Sequence, residues 1–365
     1  MNFRVWLIAS AFAALLAPVS ALPAEPSSSC ESGTPPAELF TSGTRYEQAG
    51  LKGVAMRCYD LARHAGWMEY RYHRAYIRVA HQIGRQADIF KEYSEMPADP
   101  AFEVSRLIVL SRLHEYEPTK FVGLANQAVK LDPENVWAAN ALGAGYDVLG
   151  KGDLAIKTLE AAYTHFGKQP ETALILANVL RNHGHLDNRV LDLLNEAMND
   201  EYYKPYAVAF LGNYQIEMKR QEAGIETLER NIATYPYFGL SYLFLGDYYS
   251  LKKHDFERAR RLYTDAISRN TADAIFYNIA AWNLLEVAKK RTEILVAKEL
   301  AAMAVQISGR KRATILDTLA EAEFKLGRRK EAIEINQEAL TIASEEGEQE
   351  RRHIENQLKR FEASP

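Results

Sequence analysis

The sequence predicts an all-α protein, a solenoid of stacked helix pairs, on three observations. The first is a set of intervals that returns roughly every thirty-odd residues: Leu142, Gly143, Tyr146, Gly150, Ala155 and Ala162, then Leu245, Gly246, Tyr249, Ala259, Tyr263 and Ala266. Near the C-terminus Leu316, Leu319, Ala320, Gly327, Ala332 and Ala339 keep the intervals without the tyrosine. The second is helical patterning from Pro36 almost to the end of the chain, with no strand-like alternation longer than a few residues. The third is that the intervals have a packing mechanism. Small residues such as Gly43 and Ala55 let two antiparallel helices approach closely, Tyr46 and Tyr59 fill the gap on either side, and Gly50 turns the chain between them. A period of this size means units that pack only on their neighbours, and such a stack usually binds other proteins and has no chemistry of its own.

Composition sets the outer limits. At 365 residues the chain could hold two or three ordinary domains, but a repeat array escapes that count. Lys and Arg total 44 against 48 Asp and Glu, so nothing in the overall charge marks the chain as a binder of nucleic acid or of an anionic membrane, and partners must be recognised locally. Residues 1–24 differ in kind from the rest. Arg4, the apolar run Val5 to Ala17, Pro18 and the small residues Val19, Ser20 and Ala21 read as a secretory signal peptide cleaved after Ala21 or Ala24. An uncleaved anchor is the alternative, since Val5 to Leu22 is just long enough to span a bilayer, and Pro18 argues against it. The short signal leans towards a bacterial periplasm or secretion. Cys30 lacks the aliphatic residue and the position that a lipoprotein signal would give it. Cys30 and Cys58 are the two cysteines, and an even count in an exported chain suggests a disulfide that pins the N-terminal tail to the first unit, adding roughly 3 kcal/mol. Two free thiols are the other reading.

Residues 25–35, rich in Ser, Pro and Gly, form a linker, and the units follow at about 36–66, 69–100, 101–133, 136–168, 170–202, 205–236, 239–271, 274–308 and 313–345. This pattern resembles the tetratricopeptide repeat over about nine units between Pro36 and Ala343. The resemblance implies a right-handed superhelical solenoid with a concave groove lined by the first helix of each unit. Several units depart from the pattern. The second has Ile77 and Ile89 where small residues are expected, so its helices should pack further apart. The fifth and seventh gain a residue in their turns, around His185 to Arg189 and His254 to Glu257, and the eighth carries an insertion, Ala288 to Ile294. Residues 346–365 read as a charged capping helix and tail.

Catalytic spacings do not appear: the chain has no Gly-rich phosphate loop, no GxSxG, no HExxH and no zinc-type cysteine pairs, so neither enzyme chemistry nor a cofactor or metal is expected. His183 and His185 flank Gly184 and read as a solvated turn. Carrying the family's groove positions over, the second unit shows Arg71, Arg74, Arg78 and His81 along one helical face, with Arg106 beside them. This is a basic pocket for an acidic partner, or else a solvated face paired with Glu69 and Glu103. The same register brings up Asn140, Asn178, Asn213 and Asp247, a ladder able to satisfy both the N–H and the C=O of an extended backbone, and it breaks at Ala281. Tyr206 turns into the groove, while Tyr237 and Phe238 are candidates for an exposed sticky edge. The expectation is a non-enzymatic scaffold of the cell envelope that holds an acidic, extended or helical partner segment in its groove. The alternative is an adaptor for envelope polysaccharide assembly or secretion that binds a glycan at Tyr206 and its neighbours. Neither the partner nor the oligomeric state is written in the sequence.

Overall fold

A computed structural model describes residues 30–363 apart from 84, 97–98, 100–101, 115–116, 270–272 and 347. The expected signal segment, its cleavage points and most of the linker lie outside the described residues. The described chain is nineteen α-helices and, among the described residues, no strand. The helices form nine antiparallel pairs: α1 (Pro36–Gln48) with α2 (Lys52–Ala65), α3 (Tyr70–Gln82) with α4 (Gln86–Glu95), α5 (Glu103–Leu113) with α6 (Pro118–Leu131), α7 (Val136–Val148) with α8 (Gly152–His165), and α9 (Pro170–Asn182) with α10 (Asn188–Ala197). The remainder are α11 (Lys204–Glu217) with α12 (Gln221–Thr234), α13 (Gly239–Asp247) with α14 (Phe256–Ser268), α15 (Ala274–Val287) with α16 (Arg291–Ser308), and α17 (Ala313–Lys325) with α18 (Arg329–Glu346). Each odd-numbered helix from α5 to α15 also touches the next odd-numbered one, so these first helices of the units form one continuous layer.

Local chemistry explains the boundaries. Proline opens α1, α6 and α9, where its missing N–H would have no intrahelical acceptor. The Asn135 side chain accepts from the backbone N–H groups of Trp137 and Ala138 and so caps α7, and Asp187, Asp255 and Asp273 cap α10, α14 and α15. Within a unit the pairs close on the expected small residues. A methyl group at Gly43 would lie 2.6 Å from the Tyr59 ring, and one at Gly246 would lie 2.3 Å from the Tyr263 ring. Both tyrosines are fully buried, as are Ala55, Ala155 and Ala259.

The departures take forms the sequence did not specify. The extra residue of the seventh unit is absorbed in a π-helical turn, Tyr248–Lys252, that extends α13, and not only in the turn at His254. In the eighth unit most of the Ala288 to Ile294 insertion is helix: α16 begins at Arg291 and runs for 18 residues, with Glu293 accepting from the N–H groups of Lys289 and Lys290 at its start. In the second unit α3 packs more extensively on α2 than on α4.

The last helix, α19 (Glu348–Ala363), packs on α17 and α18 as the first helix of a tenth unit would. Ile354 and Phe361 are fully buried, Phe361 stacks on Phe324 at 4.6 Å, and the opposite face carries exposed Arg351, Arg352 and Lys359. The cap therefore closes the apolar end of the stack with a polar outer surface. At the other end a disulfide joins Cys30 to Cys58 on α2, with both cysteines buried. Among the described residues no helix is long and apolar enough to cross a membrane.

Candidate partner-binding surface

The curvature of the stack brings distant units face to face. The Phe40 ring on α1 lies 5.0 Å from that of Tyr202, and Arg74 and Arg78 on α3 reach α9 and α11. The first helices thus look inward, and the inner face of the first two units is filled by the chain itself. Arg74 pairs with Glu171 at 3.2 Å, and the Tyr203 hydroxyl donates to the same carboxylate at 3.0 Å. Arg78 pairs with Glu47 at 2.5 Å and donates to the Tyr206 hydroxyl, while Tyr59 also donates to Glu47 at 2.8 Å. Both guanidinium groups lie over tyrosine rings, Arg74 at 5.3 Å from Tyr203 and Arg78 at 5.0 Å from Tyr202.

This revises the expectation for the basic stripe. Half-buried cations need counter-charge, and α1 and α9 supply it as Glu47 and Glu171. Arg71 pairs with Glu69 at 2.8 Å and Arg106 with Glu103 at 2.7 Å, both local and partly exposed. His81 is half-buried, and burial lowers its pKa. Nor does Tyr206 offer a free platform, since the guanidinium groups of Arg74 and Arg78 lie 5.7 and 5.6 Å from its ring centre and Phe238 meets the ring at 4.7 Å. Tyr237 is no sticky edge either, because it docks against Gly50. A small cavity of about 30 Å³, lined by Thr44, Glu47, Arg78, Tyr206 and Tyr237 among others, is room for one water and no peptide. Lys52 on α2, 4% exposed, lies within electrostatic reach of Asp273 at the start of α15, and burial lowers its pKa to about 8.

Beyond this plug the inner face is partly open. Asn178, Asn213 and Asp247 directly follow the pairs Leu176-Ala177, Leu211-Gly212 and Leu245-Gly246, and all three are half-buried. Asn178 accepts from Arg181 at 3.0 Å, Arg181 pairs with Glu217 at 2.9 Å, and Asn213 donates to Glu217 at 3.2 Å, so one polar bridge spans α9 and α11. Asp247 accepts from the Tyr263 hydroxyl at 2.9 Å and from Asn283 at 2.6 Å, and burial, only partly offset by these two donors, raises its pKa to about 6.

Asn140 does not belong to this row. It precedes the Leu142-Gly143 pair, is 2% exposed, and neither of its amide atoms has a hydrogen-bond partner. The break assigned to Ala281 also moves: Ala281 is fully buried, and the residue after the Ala280-Ala281 pair is Trp282. Counting from the pair would have found Trp282, and Glu321 after Leu319-Ala320, from the sequence. Both line a cleft of about 350 Å³ at the C-terminal end of the inner face, together with Glu286, His353, Asn356, Gln357 and Arg360. No local signal could have named Glu47 and Glu171, whose partners are distant in sequence. His183, read as solvated, has its Nε2 2.7 Å from Asp147.

Neither a family model nor a curated protein matches the sequence. Solved structures do resemble the fold. Human IFIT1, a dimer solved with m7Gppp-AAAA, is 13% identical, with 91% of this chain and 82% of that one covered and a TM-score of 0.54. Yeast Tom70 is 12% identical with 91% of both chains covered and a TM-score of 0.49. A tetratricopeptide repeat protein from Parabacteroides merdae is 14% identical, with 71% of this chain and 99% of that one covered and a TM-score of 0.41. With nine stacked helix pairs among the described residues, a first-helix inner layer and the likeness to the IFIT1 structure, the chain has the fold of the tetratricopeptide repeat proteins.

Proposed function

We propose that this protein is a non-catalytic interaction scaffold of the cell envelope that holds an extended or helical segment of another protein along its inner face between Asn178 and Trp282. The observation that carries the reading is the half-buried polar row Asn178, Asn213 and Asp247, which begins where the internal plug of Arg74, Arg78, Tyr203 and Tyr206 ends. Amides of this row, held in place by Arg181 and Glu217, can exchange hydrogen bonds with a partner backbone without reading its side chains. The surface is pre-formed, so little ordering entropy is lost by the solenoid on binding. Residence in the envelope is supported by the apolar N-terminal run with its small-residue exit, and by a disulfide that persists in oxidising compartments.

The test is site-specific photo-cross-linking in cells with benzoylphenylalanine at Asn213, against a control at Arg230, which is 68% exposed on α12. One partner should be captured from Asn213 and not from Arg230. The purified partner should then bind the Asn178→Ala, Asn213→Ala double variant at least tenfold more weakly. Equal capture from both positions, or unchanged affinity, would overturn the reading.

A further inference from the structure

Among the described residues six arginines are held in the same way, each over an aromatic ring and paired with a carboxylate, Arg181 (Phe210 and Glu217) and Arg189 (Tyr163 and Glu160) among them. Arg63 lies 4.0 Å from the centre of Tyr76 and 2.6 Å from Glu92. Arg74 has Tyr203 and Glu171, Arg78 has Tyr202 and Glu47, and Arg360 has Phe324 at 5.2 Å and Glu321. The combination suits a guanidinium, whose face stacks on the ring while its edge forks onto the carboxylate.

Trp282 and Glu286 supply the ring and the carboxylate a further time. They stand four residues apart on α15, which places them on one helical face, and both line the C-terminal cleft of about 350 Å³. Glu286 is exposed and has no ion pair among the described residues. The other charges at the cleft are matched. Glu321 is paired with Arg360, with Lys325 3.9 Å away, and Lys325 also donates to the Leu285 carbonyl at 2.7 Å. Asp317 accepts from Asn336 at 2.7 Å and faces His353 at 3.2 Å. The His353 ring meets Trp282 edge-on at 6.5 Å and leaves the indole half-buried. The unmatched charge at the cleft mouth is therefore negative, beside an aromatic face.

We propose that Trp282 and Glu286 take a lysine or arginine side chain of the bound partner segment, arginine being favoured by its planar fork. The inference rests on the reading of the inner face as a protein-binding surface and reverses the charge of the partner that the arginine stripe implied. A partner segment lying on Asn178, Asn213 and Asp247 would reach this cleft at its end nearer the cap helix.

The probe is the blocked peptide acetyl-Gly-Arg-Gly-Arg-Gly-amide, titrated into the full mature chain at low salt and followed by tryptophan fluorescence and calorimetry, with the same peptide carrying glutamate for arginine as control. The arginine peptide should bind saturably and weaken as salt rises, and the glutamate peptide should not bind. Glu286→Gln, at an exposed position, should weaken binding at least tenfold with an unchanged melting temperature. Trp282→Phe should weaken it less and reduce the fluorescence change. Absence of saturable binding, equal binding of the glutamate peptide, or an unaffected Glu286→Gln variant would overturn the inference. A partner captured at Asn213 whose affinity ignores Glu286→Gln would sink this site alone, whereas arginine-peptide binding without any partner captured at Asn213 would sink the scaffold reading alone.

Discussion

Asp247 shows how a single inner-face carboxylate affects stability. Burial raises its pKa to about 6, while in the unfolded chain it returns to the ordinary value near 4. Between those values the folded protein binds more protons than the unfolded one, so this group stabilises the fold below about pH 4 and the contribution is lost as pH rises through 6. Asp247→Asn keeps an acceptor for Tyr263 and Asn283 and removes the charge. Relative to the wild type it should gain about 3 kcal/mol at pH 8, each pKa unit being ~1.4 kcal/mol, and only about 1 kcal/mol at pH 4.5. Urea titrations of both proteins at the two pH values check this, and a gain independent of pH would mean that Asp247 is not the titrating group. At this scale the sequence was readable where a ruler lay beside the residue. Asn178, Asn213 and Asp247 each follow a leucine-small pair, and Asn140, which precedes one, is buried. Counted from the nearest pair, Asn140 falls outside the row, and Trp282 and Glu321 fall within it.

At the scale of the helix pair, Gly50 carries two constraints in one residue. It ends the α1–α2 turn at φ +80°, and a methyl group there would lie 2.6 Å from the Tyr237 ring. Gly150 has the same place in the fourth unit, at φ +73°, with open space around it. Gly150→Ala should therefore lose only the left-handed backbone cost, about 1 kcal/mol, whereas Gly50→Ala should lose that and the docking of Tyr237 as well. Thermal melts of the two variants decide: equal losses would show that the contact between the first turn and Tyr237 contributes nothing. The glycine turns and the close helix approaches were legible because they repeat, and repetition is what a single sequence can display. The π-helical turn at Tyr248–Lys252 and the 18-residue α16 were not, because an inserted residue or two can be taken up in a helix or in a loop with the same pattern on either side. The docking of Tyr237 on Gly50 left no periodic trace for the same reason, since it happens once.

For the whole molecule, the closing of the first two units onto α9, α11 and the start of α15 changes what kind of solenoid this is. An open repeat array is stabilised only between neighbours and can unfold piecemeal. Here Arg78 reaches Tyr206 across 128 residues and Arg74 reaches Glu171 across 97, which couples the N-terminal end to the middle. Charges in such a lock are costly when orphaned: removing one partner of a fully buried pair typically costs about 3–5 kcal/mol, and Arg74 and Arg78, whose side chains are 24% and 22% exposed, should each lose less than that. Arg74→Met with Arg78→Met should leave Glu171 and Glu47 without their cations, release the first two units, and split a single unfolding transition into two. Amide hydrogen exchange should then show α1 to α3 losing protection first, with α15 to α19 unchanged. Adding Glu171→Gln and Glu47→Gln should restore part of the loss, because the orphaned charges are gone although the cation–aromatic contacts are not regained. If the arginine variant still unfolds in one step with wild-type protection over α1 to α3, the coupling resides in the aromatic contacts of Phe40, Tyr202 and Tyr237 and the ion pairs are incidental to it.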